Sequence, residues 1–88
     1  MDDKPKLLQF PCSYPLKVMG KNTHEFYAVV SAIIGSHLTG SGDATYHSTT
    51  SSGGKYLSVT ATFQAQSEEQ LAAIYKELNQ SALVLMTL

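Results

Sequence analysis

Ser51-Ser52-Gly53-Gly54-Lys55-Tyr56-Leu57-Ser58-Val59-Thr60 is the stretch whose reading decides the fold. Four small, polar residues open directly onto an alternating run, the pattern of a hairpin turn feeding a strand. The run continues to residue 65. Leu57, Val59, Ala61, Phe63 and Ala65 alternate with Tyr56, Ser58, Thr60, Thr62 and Gln64. A period of two sends the first set to one face of a sheet and the second to the other, so this strand has a core side and a wettable side. Before the turn, residues 43–51 are polar and β-branched, with Tyr46 and three threonines but no clear apolar face. Such a strand suits the edge of a sheet.

Two helical patterns lie outward from the hairpin. In residues 23–37, Phe26, Val29, Val30, Ile33 and Ile34 recur at the spacing of one helix face. Asn22 stands as N-cap, and Glu25 three residues on gives capping-box spacing. Gly35 weakens the last turn by about 1 kcal/mol, and Gly40-Ser41-Gly42 ends the helical region. In residues 68–79, Ser67 is the cap, Gln70 completes the box, and Leu71, Ile74, Tyr75 and Leu78 form the stripe. Short strands flank these patterns. Residues 15–20 put Leu16 and Val18 on one face and Lys17 and Met19 on the other, ending at Gly20; residues 82–88 are almost wholly apolar.

The order is β-α-β-β-α-β, an α+β domain. Right-handed crossovers place both helices on one face of a four-stranded antiparallel sheet of order 4-1-3-2, with the polar second strand at an edge. The domain is expected over residues 14–88, after an N-terminal extension of residues 1–13 whose Leu7, Leu8 and Phe10 pack on it. The helix-free face carries Lys17, Tyr56, Ser58, Thr60 and Thr62. It stays open unless the extension or a partner covers it.

Eighty-eight residues make one small core. A net charge of −1 argues against nucleic acid or an anionic membrane held by bulk electrostatics. Cys12, the one cysteine, excludes an internal disulfide and fits a reducing compartment. No signal peptide is visible, and no run reaches the ~18 apolar residues of a membrane span. A cytoplasmic location is expected.

Leu7-Leu8-Gln9-Phe10-Pro11, Lys17-Val18-Met19-Gly20, Ser51 to Tyr56 with Ser58-Val59-Thr60, and Ile74-Tyr75-Lys76-Glu77-Leu78 keep an order and spacing of their own. Together, from Leu7 to Leu88, they resemble the YbeD-like family of small bacterial proteins of unknown function. The resemblance implies a ferredoxin-like fold similar to the ACT regulatory domains of amino-acid-controlled enzymes, and no established activity. In ACT-like domains the junction of the first strand and first helix often approaches a small ligand or a partner subunit. Here that junction is Met19-Gly20-Lys21-Asn22. Gly20 permits close backbone approach, and the helix start offers free N–H groups to a carboxylate; a plain tight turn is the competing reading. Gly20, Lys21 and Asn22 are therefore candidate ligand or partner contacts, as are Tyr56, Ser58 and Thr60 on the open face.

Reactive chemistry reads weakly. Cys12 has no histidine or helix N-terminus near it in sequence to lower its pKa, so an ordinary thiol is expected. His24, His37 and His47 lack the tight ligand pairs of a zinc site. Asp43, His47 and Ser48 contain the atoms of a triad, but alternation sends His47 and Ser48 to opposite strand faces. Gly35-x-x-x-x-Gly40 resembles half a phosphate loop, but it lacks the following Lys-Ser or Lys-Thr and follows a helix rather than a strand, and Gly53-Gly54-Lys55 opens a strand rather than a helix. Gly54 to Thr60 resembles the third-strand motif of RNA-recognition domains, but Tyr56 is followed on its face by Ser58 and Thr60 rather than aromatics.

No catalytic residue, metal or cofactor is expected. The leading expectation is a non-enzymatic, ACT-like regulatory or interaction module. It would bind an unknown protein partner, sense a small ligand, or self-associate through an edge strand bearing Leu83, Leu85 and Leu88. The alternatives are RNA binding through the open face and a small enzyme using Cys12 or His47.

Overall fold

The computed structural model describes residues 9–38 and 42–88. Leu7 and Leu8, expected to pack on the domain, lie outside these residues, as do Gly40 and Ser41. Six elements follow in order: β1 (Cys12–Lys21), α1 (His24–Ser36), β2 (Thr45–Thr50), β3 (Tyr56–Ala65), α2 (Glu68–Gln80) and β4 (Val84–Thr87). The strands form one antiparallel sheet of order β2-β3-β1-β4, the expected order counted from the other edge. This is the ferredoxin-like βαββαβ arrangement.

β3 organises the core. Its Leu57, Val59, Ala61, Phe63 and Ala65 are all buried, alternating with residues that are not. Register carries the same face onto β1, where Leu16 opposes Ala61 and Val18 opposes Val59. α1 supplies Phe26, Val30 and Ile34 to this layer, and α2 supplies Leu71, Ile74 and Leu78. Phe10, Cys12 and Tyr14 pack against its margin. Among the described residues no polar or charged side chain is buried, so hydrophobic burial sets the layer without a polar network to satisfy.

β1 starts at Cys12 and runs through Pro15, three residues earlier than the sequence suggests. The Leu88 N–H donates to the Lys17 carbonyl at 2.8 Å, so the backbone groups of Lys17 address β4, and by alternation so does the nitrogen of Pro15. β4 pairing stops at Thr87, opposite Val18. The missing N–H of Pro15 therefore falls beyond the end of β4 and costs no ladder bond.

The first helix is capped by Thr23, not Asn22. The Thr23 hydroxyl accepts the Phe26 N–H at 3.1 Å. Asn22 is engaged elsewhere: its side-chain amide donates to the Gly54 carbonyl at 3.0 Å, and its N–H donates to the Lys55 carbonyl at 2.9 Å. Glu25 is thus a first-turn acid facing the positive end of the helix dipole rather than a box partner. Ser67 caps α2 as expected, accepting the Gln70 N–H at 3.0 Å. The Gln70 side chain then reaches past the cap. Its oxygen accepts the Gln66 N–H at 2.7 Å, and its amide donates to the His37 carbonyl at 2.8 Å, tying the start of α2 to the end of α1.

The hairpin closes where the sequence puts it. The Gly54 N–H donates to the Ser51 carbonyl at 2.8 Å, and the Ser51 N–H to the Tyr56 carbonyl at 2.9 Å. Gly54 has a φ of 74°, the left-handed region that glycine enters without a Cβ penalty.

Candidate functional site

The β1–α1 junction is packed by its own chain. Gly20 is buried, and a Cβ on it would lie 2.5 Å from both the Leu83 carbonyl oxygen and the Phe26 ring. The close approach that Gly20 permits is thus made by Phe26 and by the segment entering β4. Two hollows flank the junction. One is a shallow groove of about 440 Å³ lined by Asn22, Thr23, His24, Tyr27, Ser48, Thr50 and Leu57. The other, about 200 Å³, is lined by Lys21, Thr23, Phe26, Ala82, Leu83 and Leu85.

Register joins the two sets of candidate contacts. Lys21 of β1 opposes Tyr56 of β3, Met19 opposes Ser58, and Lys17 opposes Thr60. Asn22 is bound to the hairpin beside them. Lys21, Tyr56, Ser58 and Thr60 therefore share the helix-free face towards its hairpin end, while Asn22 sits at the rim and lines the groove on the helix side, and Gly20 is buried. On that face His47 opposes Thr60 from β2, and Met86 opposes Met19 from β4. Lys17 and Lys21 are exposed here, while Glu25, Glu68, Glu69 and Glu77 all sit on the helices.

The reactive candidates stay apart. Cys12 pairs with Ala65 and is half-buried against the core. His47 faces Thr60 on the open side, Ser48 pairs with Val59 on the helix side, and Asp43 precedes the strand. His24 opens α1, and His37 closes it, its Nε2 2.8 Å from Oε1 of Glu77. Among the described residues no group of three His, Cys, Asp or Glu side chains is placed to hold a metal ion. No helix there is long and apolar enough to cross a membrane.

Two tyrosine contacts were not foreseen from the sequence. Tyr46 stacks edge-on with Tyr27 at 6.0 Å between ring centroids and donates to the Ser31 carbonyl at 3.4 Å, anchoring polar β2 under α1. The apolar body of Tyr46 in an otherwise polar strand was the available signal. The Tyr14 and Tyr75 hydroxyls lie 3.0 Å apart, and Tyr75 donates to the Leu88 carbonyl at 3.4 Å, joining β1, α2 and the end of β4. Burial, and then the bond to Tyr14, hold the Tyr75 hydroxyl well above the usual tyrosine pKa. Burial likewise raises Tyr46.

β4 is the other unusual surface. It lies at the sheet edge with Leu83 39%, Leu85 55%, Met86 48% and Leu88 58% exposed. Val84 pairs with Gly20 and Met86 with Met19, so Leu85 bulges out without a partner on β1.

Residues 5–88 match a family described as proteins of unknown function, DUF493. The chain belongs to that family. Relatives bearing the name UPF0250 protein align over nearly the full length of both chains. One from Nitrosomonas europaea is 37% identical, covering 93% of this chain and 94% of its own. One from Hahella chejuensis is 37% identical over 98% and 93%, and one from Neisseria gonorrhoeae 36% identical over 99% and 96%. This is the family of small bacterial proteins to which the YbeD-like resemblance points. The solution structure of protein HP0495 from H. pylori superposes with a TM-score of 0.77 at 18% identity, covering 99% of this chain and 91% of that one. The two share the fold.

Proposed function

We propose that the protein is a non-catalytic, ACT-like interaction module that works by docking another chain against its sheet. The observation that carries this reading is the β4 edge, where four large apolar side chains are exposed beside unpaired backbone. Natural sheets usually blunt such edges with charge, proline or cover, and a strand or apolar partner gains both hydrogen bonds and burial there. Among the described residues the Cys, His and Asp side chains lie dispersed, which supports a role without chemistry of its own. The single cysteine fits action in the reducing cytoplasm.

Small-ligand sensing is a second reading, favoured by the groove between α1 and β2. His24, Tyr27, Ser48 and Thr50 line it beside the α1 N-terminus. RNA binding has less support, since Tyr56 is the one aromatic that β1, β2 and β3 place on the open face and the net charge is −1.

The test is affinity capture from a native bacterial extract with tagged chain, comparing wild type with Leu85→Lys. A recurrent partner lost from the variant is the expected result. The reading fails if no capture depends on Leu85, the chain sediments alone at millimolar concentration, and a metabolite panel leaves its melting temperature unmoved.

A further inference from the structure

We propose that two copies of this chain pair through β4, antiparallel across a two-fold axis, so that their four-stranded sheets continue into one another. This rests on the edge-docking reading above and names the occupant. Residues 82–88 contain no charged residue, no proline and no glycine. That is the composition of segments that pair with their own kind, and an exposed edge of this type invites pairing. The backbone is oriented for it. The Leu88 N–H bonds the Lys17 carbonyl on β1, so the N–H and C=O of Thr87 point the opposite way, off the sheet. An added strand answers such groups directly.

A second copy fits better than a foreign strand, because one two-fold contact covers the same four side chains in both molecules and leaves no β4 edge exposed. The faces also agree. Met86 shares the open side of the sheet with Met19, and Thr87 is opposite core-side Val18, so antiparallel pairing keeps helices with helices and open face with open face. Leu83, Leu85, Met86 and Leu88 together leave on the order of 400 Å² of apolar surface per copy, so the pair buries toward the ~1,000 Å² at which specific association begins. The bulge at Leu85 shortens the pairable stretch, which places the dimer at the weak end. The opposite edge, β2, reads Thr-Tyr-His-Ser-Thr-Thr and exposes no large apolar side chain, so it is not expected to take part.

Sedimentation equilibrium of the full chain tests this. The average mass should rise from near 9.5 kDa towards twice that as concentration increases from roughly 10 μM to 1 mM, the range for so small an interface. Thr87→Pro removes the outward donor, and Leu85→Lys adds an edge charge. Each should weaken dimerisation at least about tenfold while Ser48→Pro on β2 leaves it intact. Far-ultraviolet dichroism confirms that each variant is folded; Leu85→Lys, at an exposed position, serves if Thr87→Pro does not fold. Wild-type chain that stays monomeric at 1 mM overturns the proposal, as does a dimer indifferent to Leu85→Lys. A monomer that still binds a different protein in a Leu85-dependent way overturns self-pairing alone and leaves the docking reading standing.

Discussion

The two faces of β3 differ in what they ask of the sequence. The helix side, from Leu57 to Ala65, is buried at every alternate position and packs against both helices. The other side, from Tyr56 to Gln64, carries hydroxyl, amide and phenol groups and meets no helix. The lesson is a division of labour along a single strand: one face is spent on the core, and the other is left to meet solvent or a partner. Substitutions that respect or violate that division should separate by size of effect.

Phe26→Ala should be the most costly. The ring is fully buried and rests over Gly20, so its loss leaves a cavity and should destabilise the domain by about 3–5 kcal/mol in urea unfolding. Gly20→Ala attacks the same contact from the strand side. Its new methyl group must displace Phe26 or the Leu83 backbone, at about 1–3 kcal/mol. If Gly20→Ala were neutral, the packing described at the β1–α1 junction would be wrong. Ser67→Ala removes the α2 cap and should cost about 1 kcal/mol in the same assay.

A smaller effect should appear only in alkali. The Tyr75 pKa is raised in the folded chain, so the folded state holds that proton after the unfolded chain has released it. The corresponding stability is complete below pH 10 and declines as pH rises towards the folded pKa. Comparing urea midpoints at pH 9 and pH 11 should show a shallower decline for Tyr75→Phe than for wild type. Smallest of all, Thr60→Ala on the open face should stay within about 0.5 kcal/mol. A larger loss there would mean that the open face contributes to the fold.

Much of the architecture is legible because it rests on local periodicity. The alternation of β3, the stripes of both helices and the Ser67 cap need only neighbouring residues to be read. The departures all depend on distant partners. Asn22 and Thr23 are both competent caps, and the choice falls to Thr23 because the hairpin engages Asn22. Pro15 looks like a strand boundary until the short reach of β4 shows that its missing N–H is not needed. The candidate contacts read as two separate groups, one at a junction and one on a strand. Only the pairing of Lys21 with Tyr56 shows where the two groups meet. Tyr46 was hidden for the same reason, since its partners Tyr27 and Ser31 lie on another element.

The placement of β1 between β3 and β4 also governs how the chain must acquire its shape. β1, the earliest of the four strands in the sequence, takes both its neighbours from the far half of the sequence. During vectorial synthesis it waits for β3 to emerge, and its second flank stays unpaired until the last strand arrives. Non-local pairing of this kind slows folding relative to helical bundles of the same length. α1 and the β2–β3 hairpin are the parts able to form from local contacts, so the apolar residues of β1 and β4 are the ones most open to wrong partners while the sheet is incomplete.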